Sequence, residues 1–306
     1  VSAKQLVFDG FTTVNNVKAA GENIQASWQA YRFTSSEVRL SLRTAFINLL
    51  RAQELINVTE EIVRIRRSNY ELITLRYQSG LEHRGALLTA EANLAQADFE
   101  VAQAKREVEL SQRQLTKEMG LKEFKPLRIE GDFTVVDAAE KQPDLEALAK
   151  NNPAVLQLAA QRNAAAYSIK SAYGSFFPQI TGQAKAQRSG AHWDPLNGQW
   201  NLGLGLTLPI FEGGLRIAQV TQAVAAYRQA QANERSGSDS ALVNLAQAWV
   251  SLRDAVETVA VKRKNLEATQ ERSRIAEAQY STGFIAFDNW IIIENDLVQA
   301  KKDYLN

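Results

Sequence analysis

Trp200-Asn201-Leu202-Gly203-Leu204-Gly205-Leu206-Thr207-Leu208-Pro209-Ile210-Phe211-Glu212-Gly213-Gly214 alternates without a break up to its proline. Trp200, Leu202, Leu204, Leu206, Leu208 and Ile210 share one face, and Asn201, Gly203, Gly205 and Thr207 share the other. Period-two alternation of this length marks a strand with one apolar side. The preceding stretch, Phe176 to Arg188, behaves alike. Ile180, Gly182, Ala184 and Ala186 point one way; Gln179, Thr181, Gln183, Lys185 and Gln187 point the other. Ser189 to Gln199, rich in Gly, Asn, Asp and Pro and carrying Trp193, reads as the loop of a β-hairpin over 176–210. Each strand matches the roughly 9–11 residues that a tilted strand needs to cross a bilayer. A soluble sandwich hairpin would also show one apolar face. Two features favour a membrane wall: the second face is polar or glycine, as a water-filled lumen requires, and the rest of the chain offers long helices rather than a globular core. A lone hairpin leaves unpaired N–H and C=O groups in lipid, so further strands or subunits must complete its barrel.

Outward from this hairpin the chain repeats itself at a fixed offset of 203 positions. Phe8-Asp9-Gly10 matches Phe211-Glu212-Gly213, and Tyr77-Gln78-Ser79-Gly80 matches Tyr280-Ser281-Thr282-Gly283. Val17, Ala20, Leu42, Ala45, Leu49, Ala52 and Val58 recur as Val220, Ala223, Leu245, Ala248, Leu252, Ala255 and Val261. Glu91, Leu94, Gln96 and Ala97 recur as Glu294, Leu297, Gln299 and Ala300. The spacing is too long for a solenoid of 20–50 residue units and indicates a duplicated half-protein. All six prolines lie from Pro126 to Pro209, so the segments between the paired glycines run unpunctuated with apolar residues at three-four spacing. Each predicts a helix of roughly 100 Å. Gly80 and Gly283 then mark the tips of helical hairpins, with a return helix from Ala86 to Met119 and another from about Asp288.

Between the repeats, Gly120, Pro126 and Gly131 bracket a possible short strand, Leu127 to Phe133. Pro143 can open a short helix with Asp144 and Glu146 in its first turn. Asn152-Pro153 reads as cap and first position of a helix to about Tyr173. The organisation expected is therefore a first repeat over 1–119 with its tip at 79–85, a linking segment over 120–152, and a second repeat over 153–306 with its tip at 281–287. The second repeat is preceded by a full strand pair and the first only by Val1 to Phe8, which predicts that the chain is part of a longer protein.

Composition narrows the function by exclusion. With 35 basic and 34 acidic residues the net charge is +1, and no basic block suggests nucleic acid as a partner. Cysteine is absent, so there is no disulfide framework or thiolate site. His83 and His192, the two histidines, read as exposed loop residues too far apart in sequence to suggest a metal site or proton relay. No cofactor is implied, and no titratable cluster has catalytic spacing, which argues against an enzyme. Glu60, Glu61, Arg64, Arg66 and Arg67 read as a solvated helix face, with Glu60 and Arg64 at pairing distance.

The chain resembles the TolC-like outer membrane factors, the exit ducts of efflux pumps and type I secretion systems. The carriers are Leu208-Pro209-Ile210-Phe211-Glu212-Gly213-Gly214, Tyr77-x-x-Gly80-Leu81, Tyr280-x-x-Gly283, and the paired Glu-x-x-Leu-x-Gln-Ala stretches at 91–97 and 294–300. The resemblance implies a mainly α fold with membrane β: long α-helical hairpins in a trimeric α-barrel, joined to a transmembrane β-barrel and built by internal duplication. It implies a homotrimer in the outer membrane of a Gram-negative bacterium, extending into the periplasm, with a periplasmic adaptor protein, an inner-membrane transporter and outer-membrane lipid as partners. The duct would be a passive conduit for small molecules or polypeptides. On the hairpin, Trp200, Leu202, Leu204, Leu206 and Leu208 would face lipid, while Gln179, Thr181, Gln183, Lys185, Gly203, Gly205 and Thr207 would face the lumen. Gly80, Leu81, Glu82, Gly283 and Phe284 would meet the adaptor, and Tyr77, Tyr280, Asp288 and Asn289 are candidates for the entrance gate. Asp288 also reads as a helix N-cap. Asn289 and Ile292 occupy positions that are acidic in some relatives, which weakens the case for a double carboxylate ring. The rival reading is a periplasmic adaptor or soluble coiled-coil scaffold, which would lack the long amphipathic strand pair.

Overall fold

The computed structural model describes residues 1–133, 141–189 and 197–306. Their elements, in chain order, are β1 (Ser2–Phe8), α1 (Thr12–Gln78), α2 (Arg84–Glu118), α3 (Leu145–Lys150), α4 (Pro153–Gly174), β2 (Gln179–Ser189), β3 (Asn197–Thr207), α5 (Leu215–Ser281) and α6 (Phe287–Leu305). α1 and α5 have 67 residues each, and both bounds of α5 lie 203 positions after those of α1. At 1.5 Å per residue each helix is about 100 Å long. No helix among the described residues is long and apolar enough to cross a membrane, which leaves a strand-built wall untouched.

Two compact units share these helices, one comprising Val1–Ser35 with Pro143–Ala248, the other Ser36–Gln142 with Trp249–Asn306. In the first unit the strands form an antiparallel sheet in the order β1-β2-β3. Pro209 has no N–H to donate and forces the residue before it into its own extended range. The ladder accordingly stops at Thr207, leaving Leu208, expected inside the strand, just beyond it. α4 begins as its sequence dictates: Asn152 Oδ1 accepts from Ala154 N at 2.9 Å and Pro153 follows in the first turn. It is joined to the start of α1 by Ser171 on Asn16 (2.7 Å) and to α5 by the Arg162–Glu234 ion pair (2.9 Å). Gly10, at φ +67°, and Gly174 touch backbone to backbone. A Cβ on Gly10 would lie 2.2 Å from Gly174 O, so no side chain fits. This contact packs the β1–α1 turn against the α4–β2 turn. A small core of Ala149, Val155 and Ala241, with Leu245, closes α3 onto α4 and α5.

In the second unit α2 lies along α1. Its buried Ala90, Ala97, Ala104 and Ser111 recur every seven residues, the seam of a left-handed coiled pair whose small side chains allow close approach. On α1 the predicted stripe is buried at Ala45, Leu49 and Ala52. Its counterpart on α5 is less covered, and Leu252, matching the fully buried Leu49, is well exposed.

Residues 127–133 form no strand, contrary to expectation. Side-chain amides replace a partner strand: Gln53 Nε2 donates to Ile129 O (2.9 Å), Gln53 Oε1 accepts from Ile129 N (3.1 Å), and Gln112 Nε2 donates to Leu127 O (2.8 Å). Leu127 and Ile129 then pack on the Ala45–Leu49–Leu115 cluster. Asp144 is the N-cap of α3 rather than part of its first turn, its carboxylate accepting from Ala147 N at 3.0 Å. The part of the linking segment over 134–140, and His192 and Trp193 in the strand loop, lie outside the described residues.

Candidate functional site: the hairpin tips and the two-faced sheet

The ends of three helices obey one rule. After α1, Leu81 N donates to Arg76 O (2.8 Å) and Gly80 N to Tyr77 O (3.0 Å); after α5, Phe284 N donates to Gln279 O (2.8 Å) and Gly283 N to Tyr280 O (3.0 Å). The same pair of bonds closes α2 at Gly120. This is a Schellman ending, which needs a left-handed residue, and Gly80 and Gly283 sit at φ +72° and +81°. An apolar residue following such a glycine usually folds back onto its own helix. Leu81 and Phe284 instead stay exposed, Phe284 at 84%.

Behind the tips lies a core of Ile73, Ala86, Ala90, Ala276, Tyr280, Phe287 and Trp290. Tyr280 and Trp290 are stacked with centroids 4.4 Å apart and planes 3° from parallel, and Phe287 meets both edge-on. The Tyr280 hydroxyl donates to Glu82 at 2.6 Å. Arg76 lies 4.7 Å from the Tyr280 ring centre, and its Nη1 reaches the Tyr280 and Ser281 carbonyls (3.3 Å each). A cation there also suits the negative end of α5. Burial, and then the Glu82 hydrogen bond, push the Tyr280 hydroxyl well above the ordinary tyrosine range. Residues of the first hairpin thus grip a tyrosine of the second.

The other tip candidates are placed differently. Tyr77, Asp288 and Asn289 are exposed, although Tyr77 matches Tyr280 in the repeat. Asp288 is not a cap: Ala286 occupies the cap position of α6, with no side-chain bond, and Asp288 sits within the first turn. His83, expected as a plain loop residue, caps α2, its Nδ1 accepting from Ala86 N at 3.1 Å. The Glu82 side chain is largely covered, committed to Tyr280.

A second feature went unforeseen. Arg66, assigned to a solvated face, is 6% exposed because that side of α1 is covered by α6. Its Nη2 donates to Asn295 at 2.6 Å. Beside it, buried Glu294 accepts from Ser273 on α5 and from Asn69 on α1 (3.2 Å). Burial lowers the Arg66 pKa, and the charges of Glu294 and Glu100 oppose that shift. Glu60 bridges to Lys105 (3.7 Å) rather than to Arg64, and Glu61 to Lys301 (2.8 Å). The recurrence of Glu294 in the repeat was the available sign, but recurrence does not tell burial from exposure.

In the sheet the register puts Gln179, Thr181, Gln183 and Lys185 opposite Thr207, Gly205, Gly203 and Asn201. Directly paired residues share a face, so these make one polar side. Ile180, Gly182, Ala184 and Ala186, opposite Leu206, Leu204, Leu202 and Trp200, make the apolar side. β1 adds Ser2 and Lys4 beside Lys185 and Gln183. The apolar side is bare, with Trp200 82% and Leu204 83% exposed. A continuous apolar ridge of this kind is rare on a soluble monomer and marks a surface of contact.

A profile of the family described as outer membrane efflux protein matches residues 1–121 and 145–305. The chain belongs to that family. It is 23% identical over 99% of its length to the outer membrane efflux protein BepC of Brucella suis, covering 68% of that protein. To the probable outer membrane lipoprotein SilC of Salmonella typhimurium it is 22% identical over 97% of its length, covering 66% of that one. The chain thus spans about two thirds of these relatives. Its fold matches the outer membrane protein VceC of Vibrio cholerae with a TM-score of 0.84, at 19% identity, over all of this chain and 74% of that one. The function is accordingly that of an outer-membrane efflux channel of a Gram-negative bacterium, and the adaptor or scaffold reading falls away.

Proposed function

We propose that three copies of the chain close into a passive exit duct, their sheets joining as a barrel across the outer membrane and their hairpins as a helical tunnel in the periplasm. The bare apolar side of β2 and β3, backed by a polar and glycine side, carries this reading. Such a sheet is stable only with lipid on one side and water on the other. Among the described strands β1 and β3 each keep an unpaired edge, and a closed barrel, completed by further strands of the whole protein and by its other copies, removes both. Trp200, Leu202, Leu204 and Leu206 then face lipid, while Gln179, Thr181, Gln183, Lys185, Gly203, Gly205 and Thr207 line the lumen.

At the tips, exposed Leu81 and Phe284 beside Gly80 and Gly283 dock a periplasmic adaptor, through which an inner-membrane transporter drives export. Glu82, bound to Tyr280, belongs to the gate rather than to the docking face. Opening requires the Tyr280–Glu82 and Arg76 contacts to part as packed helices shear, with Tyr77, Asp288 and Asn289 facing the entrance. Negative-stain microscopy of the whole protein in mild detergent tests the assembly. A hollow three-fold particle with a stem of about 100 Å is expected; solid rods or a six-fold funnel would overturn it.

A further inference from the structure

The repeat carries information that a single copy leaves unused. Within the chain, the first hairpin (α1, α2) meets the second (α5, α6) through several polar contacts, among them Asn69 with Glu294 (3.2 Å) and Glu61 with Lys301 (2.8 Å). If successive hairpins in a closed ring are related by one rotation, the second hairpin must meet the first hairpin of a neighbouring copy through the same positions moved by 203. Asn69 becomes Arg272, Glu294 becomes Glu91, Glu61 becomes Lys264 and Lys301 becomes Asp98. Both transposed contacts pair opposite charges. In the second, the signs have changed places between the long helix and the return helix, so attraction persists although neither residue type does. All four side chains are exposed in the single copy.

We infer that Glu91 with Arg272, and Asp98 with Lys264, are the ion pairs that set the register between neighbouring copies of this chain. The inference rests on the ring-forming reading above. The apolar positions agree with it. Val58 packs on the Ile62–Val298 cluster and Leu72 on the tip core, yet their counterparts Val261 and Ile275 stand 65% and 46% exposed. A face covered in the first hairpin is therefore uncovered in the second, and a further copy supplies its cover. Arg272 already meets Asp296 at 3.2 Å, and its five donors leave room for a second carboxylate. A third bridge, Lys302 to Glu100 (2.7 Å), transposes to Phe99 and Asp303, with Asp303 held instead by Lys262 of its own hairpin (2.6 Å). The interface between copies thus keeps two of the polar contacts made within the chain, each now a pair of opposite charges. A heterologous contact of this kind closes into a ring rather than a two-fold pair.

The chain has no cysteine, which makes the test clean. In the whole protein, Asp98→Cys with Lys264→Cys, and Glu91→Cys with Arg272→Cys, are treated in outer membranes with a short bismaleimide. Each matched pair should give a covalent ladder ending at three copies on denaturing gels. The mismatched Asp98→Cys with Arg272→Cys, displaced about 12 Å along the helix, should stay monomeric. Asp98→Lys and Lys264→Asp should each lower the fraction of trimer surviving detergent challenge, and the two together should restore it. Intact three-fold particles that give no ladder from either matched pair would overturn the register while leaving the duct standing. Single copies throughout, parent included, would sink the trimer and this inference with it.

Discussion

Tyr77 and Tyr280 hold matching places in the repeat but meet opposite surroundings, one open to solvent and one stacked on Trp290 beneath Arg76. The buried hydroxyl has a measurable consequence. A tyrosine whose folded pKa is raised stabilises the fold fully below its unfolded pKa of about 10 and loses that contribution as pH climbs above it. Thermal stability of the detergent-solubilised protein should therefore fall on the alkaline side of pH 10, and Tyr280→Phe should flatten that limb. Glu294 makes the complementary case. Glu294→Ala leaves the Arg66 charge buried beside the vacated site, at a cost on the order of 3 kcal/mol. Thermal melts of helical ellipticity will read this as a clear drop, and an unchanged midpoint would mean that water replaces the carboxylate. At this scale the sequence was least legible. Arg66 sits in a run of charges that any pattern reading assigns to solvent, and only the helix packed over it shows otherwise.

Elements were legible where local chemistry sets them. Asn152-Pro153, Gly80 and Gly283 each dictate a helix end through backbone geometry that depends on no distant partner. Alternation likewise fixed the two faces of β2 and β3, because side-chain period two admits no other arrangement. Reading failed at Leu127 to Phe133, where extended backbone finds its bonds on Gln53 and Gln112 of flanking helices. No local pattern distinguishes that from a strand. The sheet's apolar side supplies the prediction at this scale. On the proposed reading, Leu204→Asp puts a carboxylate in the middle of the face that meets hydrocarbon and should leave the protein in the periplasm, as fractionation would record. Thr207→Asp, on the polar side, should insert normally. Equal outer-membrane yields for both would remove lipid from the account of that face.

For the whole molecule, the proposed gate, in which Arg76 and Glu82 of one hairpin hold Tyr280 of the other, would make export depend on the hairpins parting. Cysteines at Leu81 and Phe284 joined by a flexible reagent should stop export while leaving the trimer intact, read by a transport assay beside a denaturing gel. Continued export would place the moving part elsewhere. The sheet register holds a different consequence, for the order of folding. β2 and β3 meet across a short loop, but β1 pairs with β2 over a separation of roughly 180 residues, Ser2 opposite Lys185. Closing so long a loop is slow, since its entropy must be spent before any ladder bond forms. During synthesis the β1–β2 ladder therefore cannot begin until roughly 180 residues of helix and hairpin have followed β1. Whatever escorts the chain to the membrane must keep that edge of β2 open, and amide exchange during refolding should protect the β2–β3 pair well before the β1–β2 ladder.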